Sequence, residues 1–167
     1  MNQKDYLSTI AIERTSAHFS ASHALISDHY KEGLHGHNYQ VEIEIEGNVD
    51  ATGVIIDFIF LENLLFKVLS HWDHYILLPL KNKNMRIREN EDNIEIEYGS
   101  RFYSIPKTEI KFLDCINVTT ETLAQLLGEK MQDLLMQESF WSRIRTVKLT
   151  IWETPFYRAS YTSQSNP

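Results

Sequence analysis

From His35 to Gly47 the chain reads HGHNYQVEIEIEG, in which Tyr39, Val41, Ile43 and Ile45 alternate with Gln40, Glu42, Glu44 and Glu46. A period of two places successive side chains on opposite faces of a strand. One face is apolar, and the other carries a row of glutamates, as suits a face that meets water or lines an aqueous lumen. The stretch from about Leu7 to Ser22, rich in Ile, Thr, Phe and Ala, reads as its hairpin partner, with a long loop from about Ala24 to Leu34 between them. From Phe58 to about Ser70, Leu61, Leu64, Leu65, Val68 and Leu69 recur at three and four, which predicts a helix after the Gly53 turn. A second helix is predicted from about Thr119 to Gln137, with Leu123, Leu126, Leu127, Met131, Leu134 and Leu135 on one stripe. Asn117, Thr119 and Thr120 are its capping candidates. Two further strands, about Arg143 to Trp152 and Tyr157 to Tyr161, flank Glu153, Thr154 and Pro155. The order ββααββ predicts an α+β fold.

Between the helices, Met85 to Arg88, Ile94 to Tyr98 and Phe102 to Ile105 read as short strands joined by polar turns, a β insertion at about 82–112 within a single domain spanning 1–167. Ser163 to Pro167 has the composition of a disordered tail.

The 167 residues, 43% hydrophobic and 23% charged, suffice for a sizeable core. A formal charge of -7, with basic residues scattered, argues against coating a nucleic acid backbone. The polar start from Met1 to Tyr6 lacks the apolar stretch of a signal peptide. No run approaches a membrane span, since the longest, Val54 to Leu61, is broken by Asp57. The single Cys115 excludes an internal disulfide and agrees with a reducing compartment, the cytoplasm.

His35 and His37 are two apart on a predicted strand, so both imidazoles share a face, with Gly36 between them leaving room. That face is the apolar one, where an imidazole is costly unless its nitrogens have partners. A metal supplies such a partner. Phe19, Ala21 and His23 share a phase on the neighbouring strand, so a third imidazole can arrive there. Three nitrogen ligands and an open position describe catalytic rather than structural zinc. The plainer alternative is that these histidines are hydrogen-bonded core or surface residues.

The strings FSASH (Phe19 to His23), LHGHNY (Leu34 to Tyr39), GVIIDF (Gly53 to Phe58), WDH (Trp72 to His74), TTE (Thr119 to Glu121) and WET (Trp152 to Thr154) stand in one order along the chain. In them the chain resembles the 6-pyruvoyl-tetrahydropterin synthase and 6-carboxy-tetrahydropterin synthase family, whose members adopt the tunnelling fold. The resemblance spans nearly the whole chain apart from the insertion and the two ends. It implies an antiparallel sheet with two helices on one face, sheets closing into a barrel in a trimer, and two trimers stacked into a homohexamer with active sites between subunits. The Glu42, Glu44, Glu46 row would then face the lumen. It further implies Zn2+ held by His23, His35 and His37, and Glu153 gripping the guanidine-like edge of a pterin, a bidentate match of one carboxylate to two N–H donors. Thr119 and Thr120 would line the pterin pocket, and Asp73 with His74 would form a proton-transfer pair. The plainer alternatives are that the threonines only cap a helix, that Glu153 only occupies a turn and that Asp73 only solvates a loop.

The sequence departs from the family at one position. Members that form 6-pyruvoyl-tetrahydropterin carry a cysteine four residues before the first histidine of HGH, and here that residue is Lys31. Glu32 follows, and EGLHGH resembles a subgroup that uses glutamate instead and cleaves 7,8-dihydroneopterin triphosphate to 6-hydroxymethyl-7,8-dihydropterin, a folate precursor. Glu32 would take the 2′-hydroxyl proton or return a proton to C1′. Pyruvoyl- or carboxy-forming activity, with Cys115 or Glu32 replacing the thiol, stays open at this point. So does a non-catalytic oligomer that binds a pterin or purine. Lys31 is the nearest candidate to hold a triphosphate.

Overall fold

The computed structural model describes residues 7–29 and 31–165. The reading of Met1 to Tyr6, and the last two residues of the expected tail, lie outside the described residues. The first hairpin is β1 (Leu7–His23) and β2 (His35–Asn48), followed by α1 (Phe58–Leu69) and β3 (Tyr75–Pro79). Three short strands come next, β4 (Arg86–Glu89), β5 (Asn93–Tyr98) and β6 (Arg101–Pro106), then β7 (Ile110–Leu113), α2 (Thr120–Leu135), β8 (Ile144–Trp152) and β9 (Arg158–Gln164). The class is α+β, as expected.

Six strands form one sheet in the order β7-β3-β1-β2-β8-β9. Its β1-β2-β8-β9 part is antiparallel, whereas β3 runs parallel to both β1 and β7. The sheet is therefore mixed where a purely antiparallel one was expected. The physical reason is connectivity: β3 lies beside β1 rather than beside β2, which precedes it in the chain, and β7 returns beside β3 only after the three short strands, so neither neighbour is joined by the tight hairpin that would make it antiparallel. Neither YILLP nor IKFL alternates, so neither betrayed itself as a strand. The segment expected as a β insertion divides accordingly. Arg86 to Pro106 forms a separate three-stranded sheet, β4-β5-β6, while Ile110 to Phe112 belongs to the large sheet as part of β7. At the other end, Ser163 pairs with Val147 and Gln164 with Thr146, so the first two residues of the expected disordered tail belong to β9. Backbone pairing to β8 does not depend on side-chain polarity.

The odd-numbered face of β2 is the inner one. Tyr39, Val41, Ile43 and Ile45 are fully buried with Phe19 of β1 and Leu149 and Ile151 of β8. Leu61 and Leu65 of α1, and Leu123, Leu127 and Met131 of α2, cover that face. Each such aliphatic side chain contributes roughly 1.5–3 kcal/mol by leaving water. Asp57 caps α1 by accepting from the Phe60 amide, and Thr119 caps α2 by accepting from the Thr122 amide. On the outer face Glu44 is paired with Lys148 across the β2–β8 ladder.

A second, smaller core lies beneath the loop between β1 and β2. Ala24 and Ile26 of that loop pack with Leu78, Met85, Ile94, Ile96, Tyr98, Ile105 and Ile110. Buried Asn82 ties it to the approach of α2: its Nδ2 lies 2.9 Å from the Ile26 carbonyl, 2.9 Å from the Ile116 carbonyl and 2.8 Å from Asn117 Oδ1. Asn117 Oδ1 also accepts from the Ile26 amide at 3.1 Å. Asn117, expected as a cap, joins two segments instead.

Candidate metal centre and active site

The register of the β1–β2 hairpin sets His23 opposite His35 and Ala21 opposite His37. All three histidines continue the inner, apolar phase past the end of the packed core. Their ring centroids are 4.6 Å (His23–His35), 5.3 Å (His23–His37) and 5.0 Å (His35–His37) apart. One nitrogen from each can be chosen so that all lie within 4.8 Å of one another.

In two of the three rings Nδ1 is occupied. His23 Nδ1 is 2.7 Å from the Val118 carbonyl oxygen, and His35 Nδ1 is 3.0 Å from that of Gly33. A carbonyl can only accept, so Nδ1 carries the proton in each neutral ring and Nε2 keeps its lone pair. This is how a metal-binding histidine is held in its tautomer. Nε2 of His23 and of His37 are buried without a hydrogen-bond partner. Oε1 of Glu153 is 3.6 Å from the first and 3.4 Å from the second, so an ion pair would need protonated rings. Burial pushes the His23 pKa down, with the neighbouring His35 and His37 adding to this against the opposing Val118 bond and Glu153 charge. A neutral His23 leaves its Nε2 lone pair free, and the donor set fits a divalent cation such as zinc.

The histidines open into a cavity of about 540 Å³ that is also lined by Glu32, Thr119, Thr120 and Glu153. Those residues come from distant parts of the chain: the β1–β2 loop, the start of α2 and the turn after β8. Thr119 both caps α2 and lines the cavity, so the two readings of it are compatible. Asp73 and His74 are not in that cavity. They form a pair 2.9 Å apart, and His74 lines a separate depression of about 400 Å³ with Ser20, Ser22, Gly36, His37 and Asn38. His37 borders both. His74 has φ +64°, a left-handed conformation uncommon for a non-glycine residue. Its amide donates to the Ser20 carbonyl at 2.6 Å, and the Ser20 amide donates to Asp73 Oδ1 at 2.8 Å. Partial burial alone would raise the Asp73 pKa, but the Ser20 amide and the His74 ring outweigh it and hold it below the ordinary carboxylate range.

Residues 11–164 match the family described as 6-pyruvoyl tetrahydropterin synthase. The chain belongs to that family. A Pyrococcus horikoshii protein provisionally named 6-carboxy-5,6,7,8-tetrahydropterin synthase is 31% identical over 151 residues, 89% of this chain and 88% of its own. The Rickettsia conorii 6-carboxy-5,6,7,8-tetrahydropterin synthase is 30% identical over 141 residues, 82% of this chain and 89% of its own. The crystal structure of Plasmodium vivax 6-pyruvoyl tetrahydropterin synthase superposes with a TM-score of 0.91 at 25% identity, covering 96% of this chain and 100% of the other. Two variants of that protein, described as catalytic-residue mutants in which a glutamate is replaced by alanine or by cysteine, share the fold at 24% identity. Membership makes the chain an enzyme of the pterin synthase lyases.

Within this family member, Cys115 is buried and lines a different depression with Lys81, Asn117 and Thr122. Burial, helped by Asp114, pushes its thiol pKa up to about 11, the opposite of what an active thiolate needs. It does not line the histidine cavity, whereas Glu32 of the β1–β2 loop does. Sequence reasoning did not anticipate the Val118 carbonyl, or Phe156, Tyr157 and Arg158, which line the cavity beyond Glu153. Arg158 is a basic group on that wall, with its guanidinium 4.5 Å from the Trp152 ring centre. Lys31, the expected triphosphate candidate, is exposed and packs its stem towards Gly99. Tyr39, buried with its hydroxyl unpartnered, lies 5.4 Å from the His37 ring. Its strand phase with His37 was the available signal.

Proposed function

We propose that this family member is a zinc-dependent lyase that cleaves the side chain of 7,8-dihydroneopterin triphosphate to 6-hydroxymethyl-7,8-dihydropterin. The observation that carries the reading is the meeting of three histidines, two of them with unpartnered buried Nε2 atoms, and the Glu32 loop in a single cavity. His23, His35 and His37 would hold the zinc. When bound there, it supplies Lewis acidity that makes substrate hydroxyls easier to deprotonate.

Glu32 accepts the proton of the 2′-hydroxyl. The O–H electrons form the C2′ carbonyl, the C1′–C2′ bond breaks, and its electron pair enters the ring imine. Protonation at C1′ restores the imine, so no oxidant or reductant is consumed. Glu32 can return that proton, and the Asp73–His74 pair is the second carrier in this reading, with His74 in the neighbouring depression that His37 also borders. Glu153 orients the pterin by accepting two parallel N–H bonds, with Thr119 and Thr120 beside it. A glutamate is also the residue described as catalytic in the Plasmodium vivax variants, which suits a carboxylate in place of a thiol. The reading includes a cytoplasmic homohexamer of stacked trimers. Strands β7 and β9 at the edges of the six-stranded sheet have no further partner among the described residues, which leaves them available for pairing between copies.

Mass spectrometry of the products from 7,8-dihydroneopterin triphosphate and the zinc-loaded protein tests this. 6-Hydroxymethyl-7,8-dihydropterin is expected. The names of the curated relatives favour a second reading, 6-carboxy-tetrahydropterin formation. That product, or a 6-pyruvoyl one, would replace the first reading.

Glu153→Gln is expected to raise KM about 10- to 100-fold while zinc content stays at that of the unaltered protein, because one charged, bidentate acceptor is lost. Loss of zinc in that variant would instead make Glu153 a metal ligand, a role its proximity to two Nε2 atoms allows.

A further inference from the structure

Glu32 lies on a loop of 11 residues between two long strands, and a working carboxylate on such a loop must be held in place. The structure holds it through the backbone. Ile26 bridges to Lys31, and the Glu32 amide donates to the Leu25 carbonyl at 3.1 Å. On its other side, the Glu32 carbonyl accepts from the Tyr98 hydroxyl at 3.0 Å. Two residues on, the Leu34 amide donates to the Tyr103 hydroxyl at 3.4 Å. The two hydroxyls are 3.4 Å apart and their rings are stacked at 5.8 Å. Tyr98 and Tyr103 are diagonal neighbours on β5 and β6, next to a hairpin whose Gly99 has φ +57°. The hairpin approaches closely, since a Cβ on Gly99 would meet Lys31 Cδ at 3.4 Å and one on Gly33 would meet Arg101 Nε at 3.8 Å.

We infer that the three-stranded sheet from Arg86 to Pro106 is a platform for the Glu32 loop, and that Tyr98 is a positioning residue acting through the Glu32 backbone. The inference rests on the reading of Glu32 as the working carboxylate. It gives the sheet a purpose: Tyr98 is buried in the small core formed with Ala24 and Ile26, so its hydroxyl is a fixed point against which the loop is set. Tyr103, half-buried, is the weaker contact.

Tyr98→Phe keeps the ring and its packing and removes only the hydroxyl. In the zinc-loaded protein, kcat is expected to fall about 10-fold with KM within about twofold, since a small misplacement of a reacting group is felt in the chemical step. Hydrogen exchange at the Glu32 and Leu34 amides should quicken by about 10-fold or more, while exchange in β2 and α2 is unchanged. Tyr103→Phe should lower kcat by less and quicken chiefly the Leu34 amide, whose acceptor it removes. An unaltered kcat, or unaltered exchange of the loop, overturns the inference. A rise in exchange across the whole chain also overturns it, because that is a purely structural role. Full activity of Glu32→Ala overturns the underlying reading of Glu32 separately, and the loop exchange of Tyr98→Phe shows whether the platform contact is real in that case.

Discussion

Replacing His23 by alanine is expected to lower metal affinity by at least about 100-fold and to take activity with it, by more than any other single change in the cavity. His23 is the most deeply buried of the three histidines, sits directly across the ladder from His35, and is oriented by the Val118 carbonyl. The variant leaves two imidazoles, one of them exposed, and two nitrogen donors are a poor site for zinc. The fold should survive, because His23 lies past the end of the packed inner face and belongs to neither buried apolar cluster. Metal content by inductively coupled plasma mass spectrometry, with circular dichroism as a control on folding, checks this. A folded variant that retains one zinc per chain and its activity would sink the triad.

Glu32→Ala should leave zinc in place and lower kcat by roughly 10²- to 10⁴-fold, the range for loss of a general acid or base. The separation follows from the structure: Glu32 lines the cavity with the histidines but is not part of the metal-compatible group. Because Glu32 is exposed and bonds to the rest of the protein through its backbone, the substitution should not disturb folding. Removal of a carboxylate that only decorates the rim would leave kcat within about twofold. That result would move the search for the base to the Asp73–His74 pair.

Much of this was legible locally. The alternation from His35 to Ile45 and the spacing of leucines in the two helical segments are short-range patterns, and each element formed within a few residues of its expected ends. The same alternation put His35 and His37 on the inner face, the matching phase of Phe19, Ala21 and His23 allowed a third imidazole there, and the family resemblance named His23 as that ligand. Strands β3 and β7 were not legible, because their partners are brought by crossovers and a short buried run has no period of its own. The pairing of Ser163 and Gln164 was hidden for a related reason, since ladder bonds are made by backbone that every residue has. Asp73 and His74, adjacent to each other in sequence, gave no sign that they would stand apart from the Glu32 cavity.

The sequence by itself determined the α+β class, the inner faces of its main strands and helices, and the shared face of His35 and His37, since strand and helix periodicity are set by bond geometry. Its wording also carried the family, and the family resemblance added His23. The tertiary structure alone decided which nitrogen of His23 and of His35 is held by a carbonyl, that Glu153 lies beside the histidines, that Cys115 does not, and that a separate small sheet grips the backbone of Glu32. Those facts depend on contacts between residues far apart in the chain, where position is set by the packing of whole elements and no local pattern records it.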